Sequence, residues 1–104
     1  MSQKNIVMVQ LTGGNDYLNC VVPYNNPFYV DNRPHVRIEE ERVLPLENGL
    51  GLNPAMAPIK ELYVQGKVAI IHGVGYPVPN RSHFRSMDIW HTALPSTLGT
   101  EGWL

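Results

Sequence analysis

An uninterrupted apolar run, Ile6-Val7-Met8-Val9, stands between Asn5 and Gln10 and is followed by Leu11. A strand with one wet face alternates apolar and polar residues. A run without alternation needs cover on both faces, as in a parallel sheet with helices on either side. The run stops at Gly13-Gly14-Asn15-Asp16, residues suited to a turn with positive φ. A second short run, Val68-Ala69-Ile70-Ile71, comes later in the chain. Between the two, Asn53-Pro54 has the form of a helix start, with Asn as cap and Pro in the first turn. Met56, Ile59, Leu62 and Tyr63 then recur at helical spacing, and Gly66 is placed to stop the helix. Strand, helix, strand predicts an α/β fold with a partial parallel sheet and a right-handed crossover.

The remaining segments are less regular. Residues from Asn19 to Gly51 resist assignment, because Pro23, Pro27, Pro34 and Pro45 forbid one long element. A short helix can start at Pro27, and the charge run Arg37 to Arg42 reads as a solvated face or loop. A last helix is predicted from about Arg81 to Thr92, capped by Asn80 or Ser82, with Phe84, Met87, Trp90 and Leu94 as its apolar stripe.

Composition narrows the function classes. The chain has 104 residues, 43% apolar and 16% charged, which excludes a disordered acidic or basic tail. A net charge of −1 argues against a nucleic-acid surface. The single cysteine, Cys20, excludes an intrachain disulfide framework and reads as a small buried thiol. No apolar stretch approaches the roughly 20 residues of a membrane helix. The strand-like run begins so near the start that no signal peptide is expected, which places the chain as given in the cytoplasm. At the other end, Trp103-Leu104 is a pair that asks for burial, so residues 1–104 read as a single incomplete α/β domain, cut from a larger one.

Two loops carry the candidate chemistry, and each follows the carboxyl end of an expected strand, the edge where open parallel sheets bind ligands. Asp16 is either a carboxylate ligand for a divalent cation or an Asx-turn or capping residue. Ser82 and His83 stand at a helix start between Arg81 and Arg85, a setting for phosphate or sulfate. Ser82 as a nucleophile needs a base or a metal; otherwise it caps the helix. His83 and His91 lie two turns apart, about 12 Å along a helix, too far to grip one ion. His91 suits a helix C-terminus, and His72 ends the second apolar run.

In chain order these motifs are Leu11-Thr12-Gly13-Gly14-Asn15-Asp16-Tyr17-Leu18-Asn19, Val22-Pro23-Tyr24, Gly51-Leu52-Asn53-Pro54-Ala55-Met56, and the segment from His72 to Trp90 that includes Asn80-Arg81-Ser82-His83-Phe84. Together they resemble the N-terminal part of the bacterial domain-of-unknown-function family 1501, over nearly the whole chain and most specifically from Gly75 to Trp90. The resemblance implies the N-terminal portion of an alkaline-phosphatase-like fold, grouped with the sulfatases, in a domain several times longer and often exported behind a twin-arginine signal. It implies a metal-dependent phosphate or sulfate ester hydrolase. Asp16 would then hold a divalent metal, Ser82 would be nucleophile or anion ligand, and Arg81 and Arg85 would stabilise negative charge. The remaining metal ligands would lie beyond Leu104, so the isolated chain is expected to be inactive. Sulfatases carry Cys-x-Pro-Ser-Arg where this chain has Pro77-Val78-Pro79-Asn80-Arg81, which leaves Ser82 as the nearest hydroxyl. The other reading is a non-catalytic binding or assembly module on the same fold. The expected partners are a small anion and, through exposed fragment surfaces, further copies of the chain.

Overall fold

The computed structural model describes residues 3–103. The fold is mixed α/β, with a three-stranded antiparallel sheet and three α-helices among the described residues. The chain divides into two compact units. One is Asp16–Ile71; the other comprises the segment up to Asn15 and the segment from His72 onward.

The central unit holds the sheet. Strands β1 (Val21–Val22), β2 (Leu44–Pro45) and β3 (Gly51–Leu52) pair antiparallel in the order β1-β3-β2. Val21 faces Leu52, and Leu44 faces Leu52 from the other side. The β2–β3 hairpin turns at Asn48-Gly49, with φ of 59° and 71°, and Leu50 N donates to Glu47 O at 3.3 Å. Positive φ at both central residues is the turn whose twist matches the twist of a strand pair. Helix α1 (Pro27–Asn32) is capped by Asn26, whose side chain accepts from Phe28 N. Val22, Tyr29 and Val43 form the core beneath it, with Tyr24, Val30 and Ile38 packed around them.

The helix after Asn53 forms as its signals predict. Asn53 Oδ1 accepts from Ala55 N at 2.9 Å, and a 3₁₀ turn at Pro54–Met56 leads into α2 (Ala57–Val64). Gly66, at φ +73°, ends it. Lys67 N donates to Leu62 O and Gly66 N to Tyr63 O, the paired bonds of a Schellman close.

The expected parallel pair does not form. Residues 6–11 and 68–71 carry no strand, and the sheet that exists is antiparallel and built from residues 21–52. The reason is the supply of partners. An apolar run becomes a strand only when neighbouring backbone satisfies its N–H and C=O groups. Strands β2 and β3 satisfy each other across a tight local turn and β1 pairs with the free edge of β3, whereas Ile6, Val7 and Val9 remain 82%, 87% and 79% exposed.

In the other unit, helix α3 (His83–Thr92) follows the stiff Pro77–Asn80 segment and stops at Ala93, whose φ is 57°. Its buried residue is Ile89, and Phe84, assigned to the apolar stripe, is 88% exposed. Trp103 is held to the helix end, its indole N–H donating to Trp90 O and its backbone N to His91 O. Leu104 lies outside the described residues. No described helix is long and apolar enough to cross a membrane.

Candidate functional site

The start of α3 is built by its own hydrogen bonds. Asn80 Oδ1 accepts from Ser82 N at 2.8 Å, and Ser86 Oγ donates to Asn80 O at 2.7 Å. Ser82 is the N-cap, its Oγ accepting from Arg85 N at 3.4 Å. Of the two readings of Ser82, the geometry displays the cap. Arg85 turns away from the helix start: its Nη2 reaches the carbonyl oxygens of Thr97, Leu94 and Pro95 at 3.1, 3.4 and 3.5 Å. Arginine near a chain reversal serves free carbonyls well, because one planar group offers several donors. Arg85 therefore ties the loop after α3 to the helix.

The segment 10–13 lies along α3. Gln10 Oε1 is 2.9 Å from His91 Nε2. At the opposite end of the helix, a Cβ on Gly13 would come within 2.5 Å of His83 Nδ1. Three extended residue steps cover about 10 Å, close to the roughly 12 Å of helix between the two histidines. The two spans match, so this segment runs antiparallel to α3 and brings Thr12 and Gly13 to the helix start. Between them is a groove of about 460 Å³, lined by Gln10, Thr12, Asn80, Arg81, His83 and Ser86 among others. Sequence reasoning did not place Gln10, Thr12 or His83 together. Gly13 was the available sign, since a glycine before a turn also permits close approach of another group.

Asp16 belongs to the central unit, whereas Arg81, Ser82 and Arg85 belong to the other. Asp16 opens a 3₁₀ turn, Tyr17–Asn19, but its carboxylate does not cap it. Both carboxylate oxygens accept from Arg33 instead, Oδ2 from Nη1 at 2.5 Å and Oδ1 from Nη2 at 3.1 Å. That hydrogen bond holds the Asp16 carboxyl below the usual carboxylate range and raises the Arg33 pKa in turn. Arg33 also stands 5.7 Å from the Tyr29 ring centroid.

A divalent metal, implied by the family resemblance, does not fit this arrangement. A metal ligand presents oxygen lone pairs to the ion, and those of Asp16 face a guanidinium. The described residues contain no group of three His, Cys, Asp or Glu placed to hold an ion.

Comparison with family models, with curated proteins and with solved structures finds no match.

Proposed function

We propose that this chain is the N-terminal portion of a hydrolase-like α/β domain of the alkaline phosphatase and sulfatase kind, and that the groove beside α3 receives its anionic group. The observation that carries the reading is the convergence of Arg81, Thr12, Asn80, His83 and Ser86 on one groove at the start of a helix. Arg81 supplies a permanent positive charge with several donors, and the hydroxyls and amide supply neutral ones. The helix start adds the favourable end of the backbone dipole. A phosphate or sulfate monoester matches that set. In this reading Arg81 binds the anion, and Ser82, outside the lining of the groove, caps the helix that positions it. Arg85 contributes by holding the loop after α3.

The exposed run at Ile6 to Val9 supports the larger domain. Its residues suit a strand covered on both faces, and neighbours supplied by further sequence would cover it. The non-catalytic reading has its own support. Ser82 is engaged as a cap, and the family resemblance sets Pro77 at the position where sulfatases carry their nucleophile. Both readings share the anion groove and differ in turnover.

The test is a phosphate titration of the 104-residue chain followed by amide NMR. Saturable shifts at Thr12, Arg81 and His83 are expected. Arg81→Ala should weaken them by about tenfold, the scale of one charge-assisted hydrogen bond. Shifts that do not saturate, or that survive Arg81→Ala unchanged, would remove the groove from the function. Ester hydrolysis by the isolated chain is expected to be absent. The Ser82 hydroxyl oxygen is engaged as the α3 cap, accepting from Arg85 N, and a serine nucleophile needs a base or a metal to activate it.

A further inference from the structure

We propose that Arg33 is the resident counter-ion of Asp16, and that its guanidinium keeps divalent cations off this carboxylate. The inference concerns the central unit and stands independently of the anion groove.

Asp16 meets Arg33 through a fork. Two nitrogens of one planar group face two oxygens of another, at 2.5 and 3.1 Å. Such a pair fills the lone-pair directions that a cation would use, and it sets a positive charge where the ion's charge would stand. A divalent ion chelated by both oxygens of Asp16 must displace Arg33, and one that meets a single outer lone pair of this half-exposed carboxylate meets the guanidinium charge beside it.

Arg33 is not a side chain free to swing away. Its Nη1 also approaches Asn19 Oδ1 at 3.4 Å. That oxygen accepts from the Tyr29 hydroxyl at 2.8 Å, and the same hydroxyl accepts from Ile38 N at 2.7 Å. Tyr29 is only 5% exposed and belongs to the core of its unit. Asn19 in turn donates from Nδ2 to Val36 O and accepts at its backbone oxygen from Asn53 Nδ2, both at 2.8 Å. The fork is thus the outer end of a polar network linking the 3₁₀ turn at Tyr17–Asn19, helix α1, the 36–38 segment and Asn53. Releasing Arg33 to admit a metal would strip one member from that network. The residues around Asp16 offer no compensating set of ligands, since no described group of three His, Cys, Asp or Glu surrounds it.

The experiment is a Mn²⁺ titration of the whole chain followed by paramagnetic broadening of amide signals, with wild type, Arg33→Met, Arg33→Lys and Asp16→Asn compared. In Arg33→Met, broadening at Tyr17, Leu18 and Asn19 should begin at roughly tenfold lower Mn²⁺ than in wild type, the factor that one neighbouring opposite charge commonly gives. Adding Asp16→Asn to that variant should abolish the gain. Arg33→Lys retains the charge without the fork and should fall between the two. It also keeps the test open if Arg33→Met does not fold. The proposal is overturned if wild type broadens at the same Mn²⁺ concentration as the Arg33 variants, or if Asp16→Asn lowers the Mn²⁺ affinity of wild type as much as that of Arg33→Met.

Discussion

Gly13 is the residue that admits the His83 ring to the segment preceding the turn. An added Cβ would meet Nδ1 at 2.5 Å and Cε1 at 2.7 Å, so something must shift. The neighbour is a side chain, and a side chain can move. Gly13→Ala is therefore expected to displace the imidazole at a cost near 1 kcal/mol, below the upper range for overpacked cores. Urea unfolding gives the cost, and the His83 ring signals report the displacement; an unmoved ring would refute the contact. Asp16 leads to a pH prediction. Its folded-state pKa is lowered, first of all by the Arg33 hydrogen bond. A depressed carboxyl contributes stability that is present above its unfolded pKa of about 3.9 and is lost as pH falls through the folded value. The stability gap between wild type and Asp16→Asn should be constant near neutrality and close as the pH drops below about 3.9. A gap that widens in acid would mean that the fork does not hold the carboxylate charged. Asp16 was legible as a polar residue at a turn, but Arg33 was not legible as its partner. They are 17 residues apart, and local pattern says nothing about which distant cation a carboxylate meets.

The elements that formed as expected have their causes within a few residues. Asn53 caps, Pro54 starts and Gly66 stops, all through bonds of short sequence range. Gly66→Ala must hold a side chain at φ +73° and should destabilise the chain by about 1 kcal/mol. Ser82→Ala removes the α3 cap and should cost about 1 kcal/mol, with Ser82→Asp recovering most of it. Chemical unfolding at constant denaturant slope checks both, and a neutral Ser82→Ala would deny the cap its role. Within the unassigned stretch from Asn19 to Gly51, the Asn48-Gly49 pair was the available hairpin signal. Its flanking strands are only two residues each, too short to show alternation. The α3 stripe was misread for a related reason. Helical spacing marks which residues share a face, and packing decided that Ile89 is the buried one while Phe84 faces out.

At the scale of the whole molecule, the apolar run from Ile6 to Leu11 has the largest consequence. Uncharged, free of proline and exposed, it has the character of a segment that pairs with other chains. The isolated chain is expected to self-associate as its concentration rises, and Val7→Lys with Val9→Lys should shift it toward monomer in sedimentation velocity. Monomer at all concentrations in wild type would show that the run is not the adhesive surface. The amino-acid sequence by itself determined the caps at Asn53 and Ser82, the helix stop at Gly66 and the bend at Gly13-Gly14. Each of these depends on the dihedral and hydrogen-bonding preferences of residues near one another. Only the tertiary structure decided that the sheet is antiparallel and centred on β3, that Arg33 claims Asp16, that Arg85 serves the loop after α3, and that the segment 10–13 lines a groove with Arg81 and His83. Those outcomes are choices among distant partners for the same donors, acceptors and apolar faces. Such choices depend on which partners the folded backbone brings within reach, a quantity that residue spacing does not contain.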